Sequence, residues 1–130
     1  MNKITSLITG FFTVYLINER GLSTNTIKSY RDTFILYFRF LECKKNIRFN
    51  KIDISIFSFE NVIDFLDYLE TELHCSINTR NQRLAALKSF SSYATRKFPE
   101  YINDFTQILN IKVKKVETKT VPYLTVNGIN

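Results

Sequence analysis

Apolar residues in this chain recur with the period of a helix, and they do so in one stretch after another. Ile4, Leu7, Ile8, Phe11, Phe12, Tyr15 and Leu16 keep the i, i+3, i+4, i+7 spacing that gathers side chains on one helical face, and Gly21 follows as a stop. Ile27, Tyr30, Phe34, Tyr37, Phe38 and Leu41 repeat that spacing after a start that Ser23 or Thr24 can cap, and Lys44 and Lys45 close the run. Leu36 and Phe40 fall off this stripe, so the second helix is covered on more than one side or presents them to a partner. Ser58 caps a third helix with Phe59, Val62, Ile63, Phe65, Leu66, Leu69 and Leu73 inward, and "HCSIN" breaks it. A fourth runs from Ser76 or Asn78 to about Lys97, burying Leu84, Leu87, Phe90, Tyr93 and Ala94 before Pro99 ends it. A shorter fifth is predicted over Tyr101 to Leu109.

Between the second and third helices, residues 46 to 57 lose the period. Ile52, Ile54 and Ile56 alternate with Asp53 and Ser55, which predicts an extended loop whose strand-like part lacks a partner. After Ile111, "KVKKVETKTVPYLTVNGIN" has alternating charge, Pro122 and no amphipathic stripe, and reads as an arm or linker. The fold class expected is therefore all-α: a compact bundle of four to five helices over residues 1–111, followed by an extended segment over 112–130.

A chain of 130 residues suits one core, and 12 Phe with 7 Tyr supply large rings to fill it. The apolar stretch from Ile4 to Leu16 is too short to span a bilayer and lacks a signal-peptide pattern, so a cytoplasmic protein without a membrane partner is expected. Cys43 and Cys75 form no C-x-x-C or Cys/His ligand pattern and read as buried or half-buried free thiols, with neither metal nor cofactor implied.

The net charge of +6 is unevenly spread. Glu60, Asp64, Asp67, Glu70 and Glu72 lie in a third helix that holds no Lys or Arg, which leaves the remainder more basic still. Such asymmetry orients an electrostatic face, with the acidic helix turned away from any polyanion and its carboxylates solvated.

Two helix starts carry the chemistry a polyanion would meet. Thr24, Asn25, Thr26, Lys28 and Ser29 open the second helix, while Asn78, Thr79, Arg80, Asn81, Gln82 and Arg83 open the fourth, whose outward positions continue with Ala85, Lys88, Ser89 and Ser92. Basic side chains neutralise phosphates and release counterions, helix N-termini offer backbone N–H groups, and Asn or Gln can bond base edges. Arg83 stands at the boundary with the core, where it either packs across or reaches outward. Lys44, Lys45, Arg48 and Lys51 around the loop, and Lys112, Lys114, Lys115 and Lys119 in the arm, form further basic clusters.

The order "LSTNTIKSYRDTFILYFRFLE", then "NTRNQRLAALKSFSSYA", then "VPYLT" resembles the N-terminal core-binding domain of tyrosine recombinases, the phage integrase family, over about residues 3 to 125. The resemblance implies a SAM-like helical domain that arches over one side of a recombination site. Its second and fourth helices would stand near the major groove, and the arm would run along the DNA. Double-stranded DNA is then the partner, with self-association on DNA as a second contact and no small-molecule substrate. The catalytic domain of that family begins near the "YLT" segment, so it is expected beyond Asn130. Its two Arg, Lys, His and nucleophilic Tyr lie downstream of the segment matched, and no catalytic residue is carried onto this chain. His74, the only histidine, has no partner motif and reads as a helix-end residue. A competing reading is a protein-interaction module that uses an exposed Leu36 and Phe40 and the aromatic first helix. A self-sufficient enzyme would need a nucleophile–base set or a phosphate loop, and neither is present in the sequence.

Overall fold

A computed structural model describes residues 3–48 and 53–116. Among the described residues there are five α-helices and no strand: α1 Lys3–Gly10, α2 Thr24–Lys45, α3 Phe59–Thr71, α4 Ile77–Lys97 and α5 Ile102–Leu109. The all-α bundle of four to five helices expected from periodicity is borne out.

Serines start three of the helices. The hydroxyls of Ser23, Ser58 and Ser76 accept from the backbone N–H of Thr26, Asn61 and Thr79 at 3.2, 3.1 and 3.1 Å, each satisfying a donor that the first turn leaves open. The stops are also alike. Gly21, Asn46 and His74 adopt the left-handed region at φ 59, 57 and 55°. The next residue then turns its N–H back to a carbonyl in the helix: Leu22 to Leu16 at 3.0 Å, Ile47 to Leu41 at 3.1 Å and Cys75 to Leu69 at 2.9 Å. Leu22, Ile47 and Cys75 also pack on the core, the hydrophobic contact that accompanies such Schellman-type ends.

The first helix departs from the expected α geometry. From Phe11 to Glu19 it widens into a π-helix, whose last backbone bond joins Arg20 N–H to Tyr15 O at 2.9 Å. Phe11, Tyr15 and Leu16 are buried from this segment, while Val14 and Ile17 face out. Gly10, at the junction, lets this element lie close to α4: a Cβ there would stand 2.8 Å from the Tyr93 hydroxyl oxygen.

Aromatic rings join the layers. Phe57 lies 4.5 Å from Phe90 and 5.4 Å from Tyr37 between ring centroids, and Phe34 stands 5.3 Å from Phe90 and 5.9 Å from Phe11, so α2, α4, the first helix and the loop before α3 share one core. The Tyr37 hydroxyl donates to the Ile56 carbonyl at 2.6 Å, and burial pushes that phenol's pKa up.

Several expectations change on contact with this packing. The alternation at Ile54 and Ile56 is a 3₁₀ turn, Ile54–Ile56, with both side chains buried; Asp53 caps it through the Ser55 N–H at 2.8 Å, and Ile52 lies outside the described residues. Phe40 is core, only 3 % exposed, because α2 is covered by α3 as well as by α4 and the first helix. Leu36 is half-buried against the same core. Phe59 and Ile63, expected inward, are on the exposed edge of α3, and Leu73, also expected inward, is exposed just beyond its end. Cys43 is exposed and Cys75 half-buried, both as free thiols. The chain after α5 has no regular structure over the described residues 111 to 116, and Ile111 is buried; residues 117 to 130, with Lys119, Pro122 and "YLT", lie outside the described residues, as do positions 49 to 52 with Lys51.

Candidate nucleic-acid interface

The N-terminal turns of α2 and α4, separated by fifty residues of sequence, come together. An open groove of about 360 Å³ lies between them, lined by Asn25, Thr26, Ser29 and Tyr30 from α2 and by Gln82 and Ala85 from α4. Arg83 clamps the two helices below it: its Nη1 donates to the Ser29 carbonyl and to the Thr33 hydroxyl, both at 3.2 Å. The even choice for Arg83 thus resolves toward packing across the helix pair, at a half-buried position.

The other predicted residues divide by what holds them. Asn25, Lys28, Asn78, Gln82 and Lys88 have no side-chain partner among the described residues; Asn25, Lys28, Asn78 and Gln82 are exposed and Lys88 is half-buried. Thr24 is exposed, Ser29 half-buried, and the Thr26 hydroxyl shares a 3.0 Å hydrogen bond with that of Ser23. Thr79 accepts from the Ser76 hydroxyl at 3.1 Å. Along α4 the exposed strip is Asn78, Gln82, Ala85 and Ser92, short or small side chains that allow a close approach. Ser89, expected on that strip, is buried with its hydroxyl unpaired among the described residues.

Arg80 and Asn81 stand elsewhere than expected. Arg80 is 6 % exposed, and its Nη1 donates to the Asn81 side-chain carbonyl at 3.1 Å and to the Lys112 backbone carbonyl at 3.2 Å. Asn81 then reads the backbone of residue 114 with both ends of its amide: Nδ2 donates to the Lys114 carbonyl at 2.8 Å, and Oδ1 accepts from the Lys114 N–H at 3.1 Å. Glu70 completes the cluster, accepting from Lys114 Nζ at 2.7 Å and facing Arg80 Nε at 3.8 Å. These side chains moor the chain leaving α5 along the start of α4, a role that sequence reasoning missed.

Three of the five acids on and just after α3 are paired, while Glu60 and Asp67 stay exposed as expected. Lys44 pairs with Glu72 at 2.8 Å and Lys45 with Asp64 at 2.5 Å, and the hydrogen bond to each carboxylate is the first cause of a raised lysine pKa. With Lys114 on Glu70, the lysines facing α3 are locally neutralised. No acidic residue lines the groove, and Lys28 of α2 and Lys88 of α4, outside its lining, have no carboxylate partner among the described residues. Among the described residues no cluster of His, Cys, Asp and Glu has the makings of a metal site, and no helix is long and apolar enough to cross a membrane.

Residues 10–98 match the family described as "Phage integrase, N-terminal SAM-like domain", and the chain belongs to that family. It is 33 % identical over 128 residues to y4rC of Sinorhizobium fredii, named as an integrase/recombinase, covering 95 % of this chain and 37 % of that protein. It is 25 % identical over 122 residues to y4rD of the same organism, which bears the same kind of name, covering 94 % of this chain and 43 % of the relative. The tyrosine recombinase XerC of Staphylococcus aureus is 27 % identical over 97 residues, covering 75 % of this chain and 30 % of XerC. The chain therefore spans less than half the length of these relatives. No solved structure matches it.

Proposed function

We propose that this domain grips double-stranded DNA at a recombination site through the groove between α2 and α4, while strand cleavage and rejoining belong to a separate catalytic domain. The observation that carries this is the groove itself: its lining is made of neutral side chains, Asn25, Thr26, Ser29, Tyr30, Gln82 and Ala85, contributed by both helices and with no acid among them. Phosphates would take Lys28, Lys88 and the N–H groups of the helix starts, which fix register on the duplex. Asn25, Asn78 and Gln82 would face base edges. The segment moored by Arg80 and Asn81 brings exposed Lys112 and Lys115 to the same end of α4, in line with an arm that continues along the duplex. The parent protein's activity, by its family, would be that of a tyrosine recombinase working in the cytoplasm on chromosomal or mobile-element DNA.

The test is fluorescence anisotropy on a duplex across a salt series, with heparin as the competing polyanion. Each phosphate neutralised contributes about 0.9 to the slope of log affinity against log salt, so replacing both Lys28 and Lys88 by Ala should flatten the slope by about 1.8 without loss of helix content. A slope unchanged in that double variant, or heparin bound as tightly as DNA, would remove the groove from the interface.

A further inference from the structure

We infer that the α2–α4 groove selects adenine, in the A·T pairs of a duplex, through the carboxamides of Gln82 and Asn25. This deepens the DNA-binding role proposed above and rests on it. The lining of the groove is wholly uncharged: Asn25, Thr26, Ser29, Tyr30, Gln82 and Ala85. No cation that would favour a phosphate or a free anion lies inside it, since the lysines nearest in sequence, Lys28 and Lys88, are not among the residues that line it. What suits such a lining is a polar but neutral edge, which is what a base pair presents in the major groove.

The donor and acceptor inventory then chooses the base. Guanine is read most often by an arginine or lysine directed at its O6 and N7, and both arginines at the start of α4 are spent inside the fold: Arg83 on Ser29 and Thr33, Arg80 on Lys112 and Asn81. A carboxamide offers one donor and one acceptor side by side, which matches the N7 acceptor and N6 donor of adenine. Gln82 and Asn25 are the two carboxamides in the lining, and neither has an internal partner among the described residues. Ala85, one turn beyond Gln82, supplies a methyl-sized apolar surface of the kind that packs on the 5-methyl group of the paired thymine.

Selection from a random-sequence duplex pool by the intact chain, followed by anisotropy on the enriched sequence, tests this. Adenine should be enriched at one or more fixed positions, and replacing that adenine by 7-deazaadenine, which deletes only N7, should weaken binding about tenfold. The double variant Asn25→Ala/Gln82→Ala should lose the preference while keeping the salt slope, because the amides carry no charge. Gln82→Arg should move the preference toward guanine, an outcome that misfolding cannot mimic. Salt-sensitive binding without adenine enrichment, or enrichment that persists when both Asn25 and Gln82 are replaced by Ala, would overturn base selection alone. Failure of the unaltered chain to bind any duplex would overturn both this inference and the DNA-binding role.

Discussion

The mooring of residues 112 to 114 on α4 makes a prediction that a single amide proton can report. In Asn81→Ala the two hydrogen bonds to the backbone of Lys114 vanish, along with an acceptor for Arg80. A hydrogen bond is worth about 0.5–1.5 kcal/mol net, and water competes for these exposed groups, so about 1.4 kcal/mol is expected for the pair, or tenfold in a local equilibrium. The Lys114 N–H is itself one of the donors, so its hydrogen exchange should accelerate about tenfold while core amides in α2 and α4 are unaffected. Arg80→Ala cuts deeper. It removes a guanidinium that is 6 % exposed, frees the Lys112 carbonyl and leaves a void at the foot of α4. Breaking a fully buried pair costs about 3–5 kcal/mol; here Glu70 keeps 25 % side-chain exposure and a second partner in Lys114, so the cost should be about 2 kcal/mol. For a domain of this size that lowers the melting temperature by about 8 °C. Arg80→Lys should not rescue it, since an ammonium cannot serve Asn81, Lys112 and Glu70 from one plane. Equal Lys114 exchange in the unaltered chain and Asn81→Ala, or an Arg80→Ala melting point within a degree or so of the original, would refute the mooring.

Two further outcomes concern packing and charge. Gly10→Ala should destabilise despite alanine's helix propensity, because the new Cβ meets the Tyr93 hydroxyl at 2.8 Å; in a Tyr93→Phe background the same change should become neutral or favourable, and a thermal-melt double-mutant cycle that showed simple additivity would contradict this contact. Stability should also fall in alkali. Burial raises Tyr37 and, with a contribution from Glu19, Tyr93 above the ordinary 10.0, while pairing with Glu72 and Asp64 raises Lys44 and Lys45 above 10.5. All four hold protons in the native state to higher pH than in the unfolded one, so their stabilising contribution is complete below pH 10 and declines above it. A melting temperature flat or rising through that range would show the sign to be wrong.

The helices were legible because burial imposes the 3.6-residue period directly on the sequence, and the caps because Ser before an apolar run has a local mechanism. The convergence of α2 and α4 was suggested by the motif pair, and the groove brings Asn25 and Gln82 together as that pairing implies. What escaped notice was non-local. Phe40 breaks the stripe of α2 only if that helix has one covered side, and nothing within α2 announces that α3 covers a second. Arg80 looked like surface because it is charged, yet it stands four and seven residues before Leu84 and Leu87, on the spacing of the buried face. That periodicity was the available signal; its partners, the Lys112 carbonyl and Glu70, come from distant parts of the chain. The π-helical turn after Gly10 has no pattern of its own, since Phe11, Tyr15 and Leu16 fit an α stripe nearly as well.

The distribution of charge, more than its total, gives the surface its direction. A net +6 spread evenly would attract polyanions to every side. Instead α3 collects Asp64, Glu70 and Glu72, and each takes a lysine from another element: Lys45 and Lys44 from the end of α2, and Lys114 from the segment after α5. Exposed pairs of this kind contribute little to stability, so their consequence lies in the field they cancel. They cancel positive charge on the α3 side, while Lys28 on α2 and Lys88 on α4 have no carboxylate partner among the described residues. Arg83 and Arg80 act in the same sense from within, because arginines committed to the fold cannot serve as indiscriminate phosphate hooks at the groove. On the proposed DNA-binding role, a duplex would be attracted by Lys28 and Lys88 and met by neutral amides in the groove, so that long-range attraction and short-range selection fall to different residues.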